Sequence, residues 1–213
     1  MKVYHGSKTK IEHPTYNGSQ EDNDYGPAFY MTMDLESAHE WACRNNVVGV
    51  VNEYELNLKG LSILDFTDKT NFSVLNWLAI LLHYRKLDPN FVRNFKTRID
   101  YIEKHYYIDA SKYDLVIGYR ADDAYFRFPL DFIRGNITLE QLEYAFKLGN
   151  LGIQYVITSQ KGIDHLKFVK TIPSEEKYLN QYFNTVLSAT KRFDELGKDE
   201  EGIRIFDILR ELK

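Results

Sequence analysis

The chain has 213 residues, 44% hydrophobic and 27% charged, which is enough for a packed core and unlike a disordered or low-complexity polymer. A formal charge of -4 gives no electrostatic reason to seek nucleic acid or an anionic membrane surface as the main partner. The lone cysteine, Cys43, excludes an intrachain disulfide framework, and no apolar run approaches the roughly 18 residues of a membrane span, so a cytoplasmic protein is expected.

In chain order, Lys2 to His5 reads as a short strand opening into a turn at Gly6 and Ser7. A polar stretch punctuated by Pro14, Gly18 and Gly26 reads as a long surface loop, after which Ala28 to Thr32 alternates as a strand. Asp34 is placed to cap a helix in LESAHEWACRNN, whose Leu35, Ala38, Trp41 and Ala42 recur at helical spacing; Cys43 reads there as a packed thiol. Val47 to Leu58 carries the strongest strand signal, and Leu61 to Phe66 is expected to continue the sheet after a turn at Lys59 and Gly60.

From about 71 to 109 the apolar period becomes helical, in two segments parted by Asp88 and Pro89, as an insertion between strands. Asp114 to Gly118 returns to strand, RADDAYFRF reads as loop, and TLEQLEYAFKLGN as a short helix stopped by Gly149. Gln154 to Ser159 and Asp164 to Ile172 read as the last strands. A helix capped by Ser174 and a final one in EEGIRIFDILREL make a C-terminal extension over about 174–213. The expectation is one α+β domain, 1–213.

Three segments stand out chemically. YHGS puts His5 beside Gly6 and Ser7; GPAFYMT puts Tyr30 on a strand before a helix; QYVITSQKGIDHLKF puts Gln154 on a late strand. In this order they resemble the signature segments of the ADP-ribosyltransferase fold, in the His-Tyr branch of poly-ADP-ribose polymerases and diphtheria toxin and in related compact bacterial domains. The resemblance covers the strand-bearing parts of 1–66 and 114–172. It implies a split β-sheet core with a helical insertion and C-terminal helices, and NAD as co-substrate. It further implies that His5 hydrogen-bonds a ribose hydroxyl, that Gly6 grips the nicotinamide carboxamide through its backbone, that Ser7 supports the ribose contact, and that Tyr30 stacks on nicotinamide.

The family's acid on the third strand is replaced here by Gln154, an amide that keeps a hydrogen bond and loses the charge. Asp24, Asp122 and Asp123 are candidates to supply a carboxylate from loops. The resemblance therefore implies a mono-ADP-ribosyltransferase of bacterial, toxin-like type that moves one ADP-ribose to a macromolecular or small-molecule acceptor, with nucleic acid an open case only as acceptor. A protein partner such as an antitoxin belongs to the same implication. The alternative is a catalytically silent NAD-binding module that works through protein partners. His13, His39, His83, His105 and His165 lack metal-ligand spacing, so no metal is expected; Arg44 and Arg120 read as surface residues, with a phosphate contact as their second reading. No Walker loop or G-x-G-x-x-G segment is present.

Overall fold

The computed structural model describes residues 1–44, 47–121, 126–148, 152–195 and 201–210. It is a mixed α+β chain built on an open, mostly antiparallel seven-stranded sheet of order β4-β5-β6-β2-β1-β3-β7. The strands are β1 (Lys2–Ser7), β2 (Phe29–Thr32), β3 (Val50–Leu56), β4 (Ile63–Asp65), β5 (Leu115–Tyr119), β6 (Ile153–Ile157) and β7 (Leu166–Pro173). Where two separate halves are expected, hydrogen bonding runs through all seven strands.

The first strand continues through Gly6 and Ser7, where a turn is expected, because both residues pair with β3. After β2 comes α1 (Leu35–Ala42), started by Asp34, whose carboxylate accepts from the backbone of Glu36 and Ser37. Ala38 and Ala42 pack on Val51, so α1 lies flat over β1 and β3. β4 does not follow β3 in the sheet. It forms the far edge, parallel to β5, because the long helical segment intervenes and returns the chain beside it.

That segment holds α2 (Val74–Tyr84), capped by Ser73, and α3 (Pro89–Tyr106), with Pro89 in the first turn and Asp88 as cap. An insertion in sequence, it is the centre of the core in space. Trp77, Leu78, Ile80 and Leu81 are fully buried against Leu64, Val116 and Val156 of the sheet.

Two helices lie where none is expected. α4 (Arg127–Arg134) begins inside the RADDAYFRF stretch and ends at Gly135, left-handed at φ 82°, and α6 (Gln160–Asp164) precedes β7. α5 (Leu139–Leu148) is as expected; its stop signal Gly149 lies outside the described residues. Ser174 caps nothing: its buried hydroxyl is hydrogen-bonded to His39 at 2.8 Å, and the chain makes a 3-10 turn at Glu176–Leu179 before α7 (Gln181–Glu195). α8 (Ile205–Arg210) is no appendage either, since Ile205 and Ile208 join the main core. Cys43 is buried, as a packed thiol should be.

Candidate functional site at the seam of the sheet

The sheet is narrow at one place. β1 pairs with β3 from Lys2 opposite Glu55 to Ser7 opposite Val50, but meets β2 at one pair, Tyr4 opposite Thr32. Beyond it the two strands part. What bridges them is a side chain: His5 Nδ1 lies 2.7 Å from the Tyr30 carbonyl oxygen.

That contact fixes the state of the ring. A carbonyl only accepts, so Nδ1 carries the proton and donates it. Burial lowers the His5 pKa, opposed by the same carbonyl, and the neutral imidazole then keeps an acceptor lone pair on Nε2. One ring face rests on Phe29, with centroids 4.5 Å apart. His5 therefore enters the seam with its orientation fixed and one hydrogen-bond acceptor unspent on Tyr30.

Tyr30 is held from the loop ahead of it. Its hydroxyl donates to the Gly26 carbonyl at 2.6 Å and accepts from the Tyr25 backbone N–H at 3.1 Å. Burial pushes the phenol far above its ordinary range, so it stays protonated. Gly26 is glycine for two reasons: its φ is 74°, and a Cβ there would stand 2.5 Å from a ring carbon of Tyr84. The G-x-x-F-Y spacing thus encodes a local clamp, a carbonyl four residues upstream that locks the phenol.

Gln154, opposite Thr32 on β6 and only 3% exposed, has a carboxylate beside it. Its Nε2 donates to Asp24 Oδ2 at 2.9 Å, and the same oxygen accepts from the Ala121 backbone N–H at 2.8 Å. Arg85 Nη1 approaches Asp24 Oδ1 at 3.5 Å. Asp24 comes from the loop before β2, so three distant segments and the end of α2 meet at one acid. The other two candidate carboxylates, Asp122 and Asp123, lie outside the described residues.

These groups line one cavity of about 620 Å³ between α1 and the end of α2. Arg44, Arg85, Lys86 and Arg120 outnumber Asp22 and Asp24 among its described lining, so the described residues give it a positive balance. Arg120, read from sequence as a surface residue, is 5% exposed, and its guanidinium lies 4.3 Å from the ring of Trp41. Arg85 lies over Phe126 at 4.9 Å.

Gly6 and Ser7 are not among the described residues that line the cavity. At Gly6 a Cβ would overlap the Ala38 carbonyl oxygen and stand 2.6 Å from Ala42 N, so glycine is there to let α1 sit on β1. The Ser7 hydroxyl donates to Thr9 O and accepts from Asn52 Nδ2 at 2.9 Å, which ties the following loop to β3. Sequence reasoning missed Trp41, Arg85 and Lys86; each sits at the end of a helix and carries no local motif. Among the described residues no group of three or more His, Cys, Asp or Glu is placed to hold a metal ion, and no helix is long and apolar enough to cross a membrane.

Residues 1–168 match a protein family described as "Protein of unknown function (DUF3990)". The chain belongs to the DUF3990 family. No curated protein and no solved structure matches it. The DUF3990 match includes every residue named above in the cavity and ends within β7, so α7 and α8 lie beyond it.

Proposed function

We propose that the seam cavity binds NAD and that the protein is a mono-ADP-ribosyltransferase of the ADP-ribosyltransferase fold, transferring one ADP-ribose to a macromolecular or small-molecule acceptor with release of nicotinamide. The observation that carries the reading is the convergence of His5, Tyr30 and a Gln154–Asp24 pair on one cavity with a positive lining. A volume of about 620 Å³ lies within the ordinary range for small-molecule and cofactor sites.

The chemistry asked of these residues is stabilisation of a sugar that becomes positive at C1 as the bond to the nicotinamide nitrogen breaks. Tyr30, its hydroxyl pinned to Gly26, offers a ring that cannot swing away. His5 Nε2 accepts a hydrogen bond from a ribose hydroxyl. Asp24 supplies the negative charge that Gln154 lacks, and Gln154 holds that carboxylate in place through its amide. Binding at fixed positions replaces the solvent reorganisation that the reaction requires in water.

The test is direct. Full-length protein is incubated with NAD and a broad lysate, and free nicotinamide and modified acceptor are measured. Release is expected, and His5→Ala and Tyr30→Ala are each expected to reduce it by about 10²-fold or more. Full activity in both variants would place the site elsewhere; no release from folded, NAD-binding wild type would remove the enzyme reading.

One observation favours a second reading. Asp24 is already engaged by Gln154, the Ala121 N–H and Arg85, an arrangement that also suits a silent NAD-binding module acting through a protein partner. NAD raising the thermal midpoint without nicotinamide release, in wild type and in Asp24→Asn alike, is the result expected of that module.

A further inference from the structure

The eight residues of α1 present three faces, and each meets something different. Ala38 and Ala42 lie on Val51 of the sheet, where Gly6 lets the helix come close. Trp41 and Arg44, at its end, line the cavity. Glu36, His39, Glu40 and Cys43, spaced three and four apart, make the third face. Alanine methyl groups bury little area and interlock poorly, so the sheet contact alone holds the roll of so short a helix about its axis only weakly.

The chain that follows β7 is fastened to that third face. Ser174 Oγ and His39 Nδ1 lie 2.8 Å apart, and both residues are buried. The buried Tyr178 ring stacks on the His39 ring, with centroids 4.7 Å apart, and its hydroxyl donates to Glu36 Oε2 at 2.9 Å. The Cys43 thiol donates to the Glu175 carbonyl at 3.7 Å, and Gln181, the first residue of α7, hydrogen-bonds the Glu40 side chain. Residues 174–181 thus engage the third face from the first turn of α1 to its cap. They lie beyond the matched residues 1–168, whereas the cavity wall they brace lies within them.

From these contacts we propose that Ser174 and Tyr178 are positioning residues for the seam cavity: residues 174–181 strap α1 from outside, fix its roll, and so hold the Trp41 ring at the cavity wall. The guanidinium of Arg120, 4.3 Å from that ring, carries the position of α1 on to the end of β5. Strap and cavity ligand act on one element, so each tightens the hold of the other. The NAD arm of the test rests on the reading of the cavity as an NAD site; the strap itself does not.

The two tryptophans, Trp41 and Trp77, are replaced biosynthetically by fluorotryptophan, and the full chain is followed by fluorine NMR with Trp41→Phe to assign the signals. Tyr178→Ala is expected to shift the Trp41 resonance and to leave that of Trp77, deep in the main core, in place. Tyr178→Phe keeps the ring on His39 and is expected to restore the wild-type resonance; Ser174→Ala is expected to give a smaller shift than Tyr178→Ala. Ile208→Ala, in the main core and not in the cluster that seats α1, is expected to lower stability without moving the Trp41 signal. An unmoved Trp41 signal in Tyr178→Ala, or the same displacement in Ile208→Ala, overturns the strap. Should Tyr178→Ala not fold, Ser174→Ala decides in its place by the same criterion. Titrated with NAD, Tyr178→Ala is expected to bind at least about fivefold more weakly than wild type, and Tyr178→Phe within about twofold of it. Equal NAD affinity in wild type and Tyr178→Ala overturns the strap and leaves the NAD reading standing. A displaced Trp41 signal in Tyr178→Ala with no NAD binding by wild type leaves the strap standing and removes the NAD reading.

Discussion

Asp24 and Asp114 are both buried aspartates that tie distant segments together, and they do so in opposite surroundings. Asp114, at the start of β5, accepts from the Ser62 backbone at 2.9 Å and the Ser159 hydroxyl at 2.7 Å, and pairs with Lys161 at 3.0 Å. Every partner is a protein group at the sheet edge, and the result joins β4, β5 and α6. Asp24 gathers Gln154, Ala121 N–H and Arg85 on the wall of a cavity. A hydrogen-bonded acid beside protein alone is a rivet; the same acid beside an empty volume lined with cations can also act on whatever fills it.

Removing each charge in turn should break the two apart. Asp24→Asn keeps the shape and is expected to lower nicotinamide release by about 10²–10³-fold, the cost of losing a preorganised charge at a reacting centre. Asp114→Asn is expected to leave release within about a factor of two and to cost about 1–3 kcal/mol of unfolding free energy, measured in denaturant. If Asp114→Asn lowers release as far as Asp24→Asn does, the distinction between rivet and site fails.

Gly6 sharpens the same comparison from the packing side. Gly6→Ala forces a Cβ into the α1 backbone and is expected to destabilise by about 1–3 kcal/mol, read as a lower midpoint in denaturant. Because β1 carries His5, release should fall with the shift of the strand. Unchanged stability alongside lost NAD binding would return Gly6 to the role of ligand contact that the family resemblance implies.

How far the sequence carries depends on whether a feature is local. The Asp34 cap, the Pro89 start of α3 and the β3 run are written in adjacent residues, and each element appears within a few residues of its expected place. The pairing of a three-residue strand is not local, so β4 and β5 were each legible as strands while their parallel pairing was not. Ser174 carries a cap signature, yet tertiary contact with His39 takes its hydroxyl. In the site, His5, Tyr30, Gln154 and Asp24 could be named because strand motifs and loop carboxylates are visible in one dimension. Arg85 and Trp41 could not, since an arginine after a buried helix and a tryptophan at helical spacing look like ordinary surface and core. Gly6 and Ser7 were visible as positions but not in their contacts, which α1 and Asn52 decide.

The smallest expected effect separates the seam from the sheet edge by pH. Burial lowers the His5 pKa in the folded state, so below the unfolded value of about 6.5 the unfolded chain binds more protons and stability falls with pH. Asp114 is held well below the usual carboxylate range, first by the Ser62 N–H and then by Ser159 and Lys161. Its contribution is present above the unfolded value of about 3.9 and is lost as pH falls through the lower folded value. Thermal midpoints recorded from neutral to acid pH should therefore decline in two stages, one setting in below roughly pH 6.5, which His5 shares with His39, also lowered by burial, and one below roughly pH 3.9. His5→Ala should shrink the first stage and leave the second, whereas Asp114→Asn should do the reverse. The two regions draw on separate protons only if the variants act on separate stages; a single decline abolished by either substitution would mean that seam and edge unfold as one coupled unit, and that Asp24 and Asp114 differ in place but not in role.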